Sequence, residues 1–303
     1  IHEAIALAKK AAPTDTTVLL TGETGTGKEI FAHAIHQESN RSQKPFVAIN
    51  CSAFSKDLLE SEMFGYKAGA FTGAGKDKRG LFEEANQGTI FLDEIGEMSP
   101  GLQAKLLRVL ESGEFIKVGE SKTTKVNVRI IAATHRNLEE EIALGHFRED
   151  RFYRISALRI KLPPLRERTA DIELLVHYFI NHFQTNTKSV KVSFENHFID
   201  LLKLHTWKGN IRELKNVIER SLILMENNLL RIDYVPLEIQ QLAIAFTPAD
   251  AEKQLSGFSL AAAEKLHIQK IMNYTQGNKT EAARLLNIAI TTLYRKLEEY
   301  KIS

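Results

Sequence analysis

Little in this 303-residue chain can staple it, anchor it or steer it by bulk composition. A single cysteine, Cys51, excludes an intramolecular disulfide framework and a cysteine-rich metal site. No apolar run approaches the ~20 residues that span a bilayer; the longest, such as Ile90–Leu92 and Ile130–Ala133, are far shorter. Neither sign of charge dominates: 40 Lys and Arg stand against 38 Asp and Glu, a net +2 that points to neither nucleic acid nor membrane. Internal repeats and low-complexity tracts are missing as well. No basic-then-apolar leader opens the chain. Instead Ile1, Ile5, Ala8 and Ala12 recur at helical spacing, and the missing initiator Met leads us to expect further sequence upstream. What is present is 43% hydrophobic and 26% charged, the balance of a globular chain, and the length suits about two domains. A cytoplasmic protein, or a piece of one, is the expectation.

Through residues 1–165, short β-branched runs alternate with helical stretches, the pattern of a parallel sheet covered by helices. The expected strands are Val18–Thr21, Phe46–Asn50, Thr89–Asp93, Arg129–Thr134 and Ala157–Lys161, with helices such as Lys28–Gln37 and Pro100–Glu111 between them. Leu162-Pro163-Pro164-Leu165 ends that pattern, because proline lacks the donor a ladder needs and the residue before it avoids helix. From Ala170 to about Ile239 the chain reads as all helix, with Ile172, Leu175, Phe179 and Phe183 at helical spacing. Phe179, Phe183, Phe194 and Phe198 are expected to form core there. Residues 240–257 carry Pro248, Asp250, Ser256 and Gly257 without a sustained period and are expected to be a linker; residues 258–303 are helical again.

Gly22, Glu23, Thr24, Gly25, Thr26, Gly27, Lys28 and Glu29 follow the first strand and open a helix. Glycines let backbone N–H groups turn inward around phosphate oxygens, and the helix start adds partial positive charge. Lys28 would reach the β- and γ-phosphates. The general pattern ends in Ser or Thr, whose hydroxyl binds magnesium, and Glu29 stands there instead. By itself the run is also compatible with a plain glycine-rich turn. The apolar strand Ile90-Phe91-Leu92 ends in Asp93 and Glu94, at the edge where open α/β sheets bind ligands. Asp93 is placed to hold Mg²⁺ and Glu94 to polarise the attacking water. The two elements together predict binding and hydrolysis of a nucleoside triphosphate such as ATP.

Between them lies Gly69-Ala70-Phe71-Thr72-Gly73-Ala74, a small flexible loop with one large apolar residue. Read physically, it is either an ordinary surface turn or a docking contact. The hexapeptide, with the phosphate loop and the acidic strand in this order, resembles the signature loop of bacterial enhancer-binding proteins. These are the AAA+ ATPases that activate transcription by sigma-54 RNA polymerase. The resemblance covers nearly the whole chain, and the family's phosphate loop normally ends Gly-Lys-Glu, as here at Glu29. It implies an AAA+ P-loop NTPase of α/β class, with a parallel sheet core and a helical lid, followed by a small all-α helix-turn-helix domain. It also implies that Gly69–Ala74 contacts the sigma factor, with Phe71 and Thr72 foremost.

The same resemblance assigns further roles. Asn50 looks like the switch asparagine that holds the catalytic Glu94; the plainer reading is a side-chain cap at a strand end. Thr134 looks like sensor I near the γ-phosphate, and His135 follows it where the family often has Asn. Residues 114–126 resemble a second substrate-facing loop. Arg148 and Arg154 match arginine fingers supplied to a neighbouring subunit, with Arg151 an extra cation; as a charge run, they would instead pair with Glu149 and Asp150 on a solvated helix. Arg212 is similar to sensor II in the lid. There Lys208 stands where the family usually has Pro, and Asn210 reads as a helix cap.

At the C-terminus, Ala283, Leu286, Ile288, Leu293 and Leu297 are spaced as the interface of two short helices around a tight turn, and Asn287 suits a left-handed turn position. Residues 258–303 hold seven Lys and Arg against four Glu, a modest basic bias. A helical hairpin for dimerisation is the alternative to a DNA reader. The segment resembles the Fis-type reader of the same family, which makes Thr291, Thr292, Tyr294, Arg295 and Lys296 the expected DNA contacts. Residues 261–274 are expected to pair two readers. His33 and His36 read as exposed polar positions without a role, and Cys51 as a small buried thiol.

The expected protein is thus an ATP-driven transcriptional activator that binds enhancer DNA, dimerises through its C-terminal domain, forms a hexameric ring and remodels sigma-54 RNA polymerase holoenzyme. The expected partition is 1–165 ATPase, 166–239 lid, 240–257 linker and 258–303 reader. Two rivals are an AAA+ machine with another target, and a DNA-binding regulator whose ATP site serves assembly only.

Overall fold

In the computed structural model of the chain, the described residues are 1–145, 147–184, 192–244, 260–275 and 277–300. They fall into two compact units, Ile1–Gln240 and Gln241–Ser303.

The first unit opens with helix α1 (His2–Ala11), followed by strand β1 (Val18–Thr21), helix α2 (Lys28–Gln37) and strand β2 (Phe46–Asn50). Helix α3 (Lys56–Phe64) leads into a two-residue antiparallel pair, β3 (Gly65–Tyr66) and β4 (Lys78–Arg79), that brackets the hexapeptide. After α4 (Leu81–Glu84) come β5 (Thr89–Asp93) and α5 (Pro100–Ser112). The hairpin β6 (Glu114–Ile116) and β7 (Thr123–Lys125) precedes β8 (Arg129–Thr134), α6 (Leu138–Ala143), α7 (Glu149–Ile155) and β9 (Leu158–Lys161).

Strands β2, β5, β8, β1 and β9 form one parallel five-stranded sheet in that order. Alternation along each strand sorts its residues to two faces. Leu19, Ile90, Leu92, Ile130 and Ala132 join the core under α3 and α5, whereas Val18, Leu20, Phe91, Ile131 and Ala133 join the core under α1 and α2. A parallel sheet buried on both faces requires such continuous apolar runs, which made these strands legible. In register, Asn50 faces Asp93 and Thr21 faces Thr134, so the expected functional positions share one sheet edge.

Of the positions expected to face inward from helix α1, Ala8 and Ala12 are buried and Ile1 packs against the core, and only Ile5 departs. Ala4, Ala8 and Ala11 are buried while Ile5 is 38% exposed, because small side chains let the helix lie close to its neighbours. The buried guanidinium of Arg129 donates to the carbonyls of Ala11 and Ala12 at 2.8 and 2.7 Å, satisfying the helix end.

The lid comprises α8 (Asp171–Gln184), α9 (Phe198–Leu204) and α10 (Asn210–Ile223). It is not all helix: the two-residue strands β10 (Ser193–Phe194) and β11 (Leu229–Leu230) pair in parallel. Phe179 and Phe198 are buried as expected, whereas Phe183 and Phe194 are half-buried. Trp207, wholly buried, donates its indole N–H to the Leu202 carbonyl at 2.8 Å. Helix α11 (Leu237–Ile244) runs into the segment expected to be linker, and residues 245–259 lie outside the described residues.

The second unit is a three-helix cluster, α12 (Leu260–Tyr274), α13 (Lys279–Leu285) and α14 (Ile290–Glu299). Ile268, Met272, Ala283, Leu293 and Leu297 form its core, with Leu286 and Ile288 packed against them. Asn287 takes φ 53° between α13 and α14, the left-handed turn its type tolerates. Among the described residues no helix is long and apolar enough to cross a membrane.

Candidate active site

Strand β1 delivers the chain to residues 22–27, and α2 starts at Lys28. Gly25 has φ +81°, and a Cβ there would strike the carbonyl of Gly209, so only glycine lets this loop lie against the lid. The ammonium of Lys28, 7% exposed, donates to the carbonyls of Gly22 and Glu23 at 2.8 and 3.2 Å and lies 3.8 Å from Glu94 Oε1. Burial lowers the affinity of Lys28 for its proton, and Glu94 and Asp93 oppose that shift.

Asp93, the last residue of β5, is held above the usual carboxylate range, first by burial and then by the charge of Glu94. Asp93 and Glu94 both line the cleft, and carboxylate oxygens are the donor type that a divalent cation takes. Glu94 leaves the strand through a left-handed φ of 55°. Its Oε2 accepts the backbone N–H of His135 at 3.1 Å and lies 2.7 Å from His135 Nδ1.

Asn50 sits beside Asp93 in register, but its carboxamide oxygen accepts from the Ser52 amide and hydroxyl at 2.9 and 2.7 Å. In this structure Asn50 caps the short helical turn Cys51–Ala53, and His135 is the residue bonded to Glu94. Thr134 is buried at the end of β8, its hydroxyl accepting from the Arg136 amide at 3.1 Å. Cys51 is buried as expected, and burial next to Asp93 and Glu94 pushes its thiol up to about 12.

A cleft of about 420 Å³ opens over these groups, lined by Thr24, Gly25, Gly27, Lys28, Glu29, Asp93 and Glu94 from below. The lid contributes Arg212 together with Leu175, Tyr178, Phe179 and Ile211. A larger groove of about 630 Å³ lies between α1 and α2, away from the carboxylates, and is mostly apolar.

The lid is fastened to the phosphate loop by contacts that sequence reasoning missed. Asn210 is no simple helix cap: it is buried with φ 55°, and its Oδ1 accepts the Leu165 amide at 2.8 Å. Its Nδ2 donates to Glu23 Oε2 and to the Thr24 carbonyl, both at 3.1 Å. Arg166 grips Glu23 with two bonds of 2.9 and 2.6 Å, and these partners hold the Glu23 carboxyl down to about 2. Arg168 donates to the Thr26 carbonyl at 2.9 Å, and the Ile211 amide donates to the Gly25 carbonyl at 3.0 Å. The one local signal was Asn at a glycine-flanked turn, which tolerates φ > 0.

The hexapeptide closes on itself, with the Gly69 amide donating to the Ala74 carbonyl at 2.8 Å. Phe71 is 46% exposed and packs edge-on against Tyr66 at 4.9 Å. Thr72 and Gly73 are exposed and Ala70 is half-buried, whereas Ala74 is buried at the root of the loop. Asp77 braces the base, accepting from the Ala68 amide at 2.9 Å and from Lys67 Nζ at 2.6 Å. The Lys67 amide donates to the Val118 carbonyl at 3.0 Å, tying this loop to the hairpin between β6 and β7.

Comparison with known proteins assigns this arrangement. Residues 1–161 match the Sigma-54 interaction domain, residues 166–251 the AAA+ ATPase lid domain, and residues 259–300 the bacterial regulatory protein, Fis family. The chain belongs to the sigma-54 interaction family.

Relatives of this family include the transcriptional regulatory protein ZraR of Salmonella typhi, 47% identical over 94% of this chain and 64% of that protein. The Nif-specific regulatory protein of Azotobacter vinelandii is 51% identical over 76% of this chain and 44% of its own length. A crystal structure of NtrX from Brucella abortus in complex with ATP superposes with TM-score 0.72 at 33% identity, covering 99% of this chain and 67% of that one. The chain therefore spans about two thirds, or less, of the proteins it resembles.

Other expected sites of this sigma-54 interaction chain fall away from the cleft. Arg148, 66% exposed, pairs with Asp150 through bonds of 3.1 and 2.8 Å, and Arg154, 63% exposed, lies 3.4 Å from Glu111. The side chain of Arg151 lies outside the described residues. His36 departs from expectation: it is buried, with Nδ1 2.9 Å from the Thr89 hydroxyl, and burial lowers its pKa.

On α14 of the Fis-family unit, Thr291, Tyr294 and Arg295 are exposed on one face, with Thr292 half-buried. Lys296 does not join them. Its ammonium lies 2.7 Å from Glu264 and 3.3 Å from the Tyr300 hydroxyl, so it holds α14 to α12 instead of facing a ligand. The helical phase explains this, because Lys296 adjoins the buried Leu293 and Leu297.

Proposed function

We propose that this chain is the ATPase and DNA-reading portion of a cytosolic transcriptional activator. It hydrolyses ATP within a homo-oligomeric ring, a hexamer when active, and uses the resulting movement to remodel sigma-54 RNA polymerase holoenzyme while bound to enhancer DNA. The observation that carries this reading is the convergence of Lys28, Asp93 and Glu94 at one sheet edge beneath Arg212. We take residues 1–165 as the ATPase part, 166–239 as the lid and 258–303 as the reader.

The phosphate loop, Gly22 to Glu29, turns its amides and the start of α2 toward the phosphates, and Lys28 moves from its carbonyl partners to the β- and γ-phosphoryl oxygens. Asp93 holds Mg²⁺, which when bound offsets phosphate charge. Glu94 orients and polarises the water that attacks the γ-phosphorus. Thr134 and Arg212 close on the γ-phosphate from the sheet and from the lid, and Asn50 acts on Glu94 only after leaving Ser52. Because Arg148 and Arg154 lie outside the cleft of their own chain, they serve the site of a neighbour, where such fingers contribute ~10³–10⁵-fold in rate. Phe71 and Thr72, at the tip of the Gly69–Ala74 loop, contact the sigma factor. Thr291, Thr292, Tyr294 and Arg295 enter the major groove.

The test is ATP turnover per chain against protein concentration, for the unaltered chain, Arg154→Ala and Thr72→Ala. Specific activity is expected to rise with concentration and to collapse in Arg154→Ala. In Thr72→Ala it should persist while promoter opening with sigma-54 polymerase is lost. Absence of turnover at every concentration would favour the assembly-only regulator, and turnover independent of concentration and of Arg154 would overturn the assignment of Arg148 and Arg154 to a neighbour's site.

A further inference from the structure

We propose that His135 is the positioning residue for the Glu94 carboxylate, anchoring one oxygen so that the other faces the phosphate seat. The inference rests on the reading of Glu94 as the group that polarises the attacking water.

The carboxylate of Glu94 is used unequally. Oε2 takes both donors that His135 offers, the backbone N–H at 3.1 Å and the ring Nδ1 at 2.7 Å. Facing a carboxylate oxygen at that distance, Nδ1 is the protonated nitrogen of the ring. Oε1 points the other way, 3.8 Å from the Lys28 ammonium. A glutamate side chain ends in a soft torsion and would otherwise swing between orientations. Two donors on one oxygen fix both its direction and its plane. Without them the nearest strong partner is Lys28, and a full ion pair there would place the carboxylate on the phosphate seat itself.

The segments that carry the two residues are clasped a second time. Arg136 lies 2.6 Å from Glu97. A Cβ on Gly96 would come within 3.1 Å of the Thr134 hydroxyl, so the turn after Glu94 lies hard against the end of β8. The left-handed backbone at Glu94 is thus held by a neighbouring strand end. Asn50 shares none of this, since its carboxamide oxygen is taken by Ser52.

The experiment compares the unaltered chain with His135→Ala and His135→Asn, above the concentration at which activity plateaus. The asparagine Nδ2 stands close to where Nδ1 stood and can donate to the same oxygen. In His135→Ala, kcat should fall on the order of tenfold, with KM for ATP and affinity for a fluorescent ADP analogue within about twofold of the unaltered chain. His135→Asn should recover kcat to within about threefold, and thermal unfolding should be the same for all three proteins. Three results overturn the proposal: equal losses in Ala and Asn, a change confined to KM, or no change in His135→Ala. Absence of turnover in the unaltered chain at every concentration would instead overturn the ATPase reading and this inference with it.

Discussion

Replacing Asn210 by alanine should loosen the lid from the phosphate loop, and the structure allows the loss to be divided. The Leu165 amide would lose its 2.8 Å acceptor in a buried setting, which costs about 1–3 kcal/mol. The bonds from Nδ2 to Glu23 and Thr24 would also vanish, although those acceptors keep other partners or reach solvent. Alanine at φ 55° adds about 1 kcal/mol of backbone strain, whereas glycine adds none. Asn210→Ala should therefore lower lid stability by about 3 kcal/mol and Asn210→Gly by about 2 kcal/mol. Trp207, the sole tryptophan, is wholly buried three positions away and reports the transition by fluorescence during urea unfolding. ATP affinity should fall alongside, because Thr24 belongs to the phosphate loop. Two results would refute the reasoning: both variants within about 0.5 kcal/mol of the unaltered chain, or glycine costing as much as alanine.

Further outcomes follow from the same physical account. Glu23 is held down to about 2 by Arg166 and Asn210, so its contribution is complete above the unfolded value near 4.5 and is lost as pH falls from there toward 2; an acid titration of Trp207 fluorescence should lose that portion in Glu23→Gln. Cys51, its thiol pushed up to about 12, should resist iodoacetamide at pH 8 until the chain is unfolded in urea, and rapid labelling of the folded protein would contradict its burial. Arg295→Ala should weaken DNA binding and reduce the salt dependence by about one phosphate contact. Lys296→Ala should instead lower the melting temperature of the isolated residues 241–303, and leave the salt slope of the full chain unchanged.

Short β-branched runs alternating with helical stretches told most of the fold in advance. The strands Val18–Thr21, Phe46–Asn50, Thr89–Asp93 and Arg129–Thr134 coincide with those observed; the three inner ones are buried on both faces and leave an unbroken apolar signature, whereas Phe46–Asn50 is a partly exposed edge strand. The phosphate loop and the left-handed Asn287 were equally legible, since each is a local backbone requirement written in neighbouring residues. The clasp of Asn210 on Glu23 joins positions 187 residues apart, and His135 meets Glu94 across 41. Lys296 turns to Glu264 across 32 residues, although its spacing on α14 reads as part of a DNA-facing helix. Periodicity settles which residues share a face of one element. Which polar group receives a given side chain depends on how separate elements pack, and that is set by contacts among residues remote in the chain. Hence the elements and the phosphate loop could be read from residue order alone. The partners of Glu94, Asn210 and Lys296 emerged only once the strands and helices were assembled.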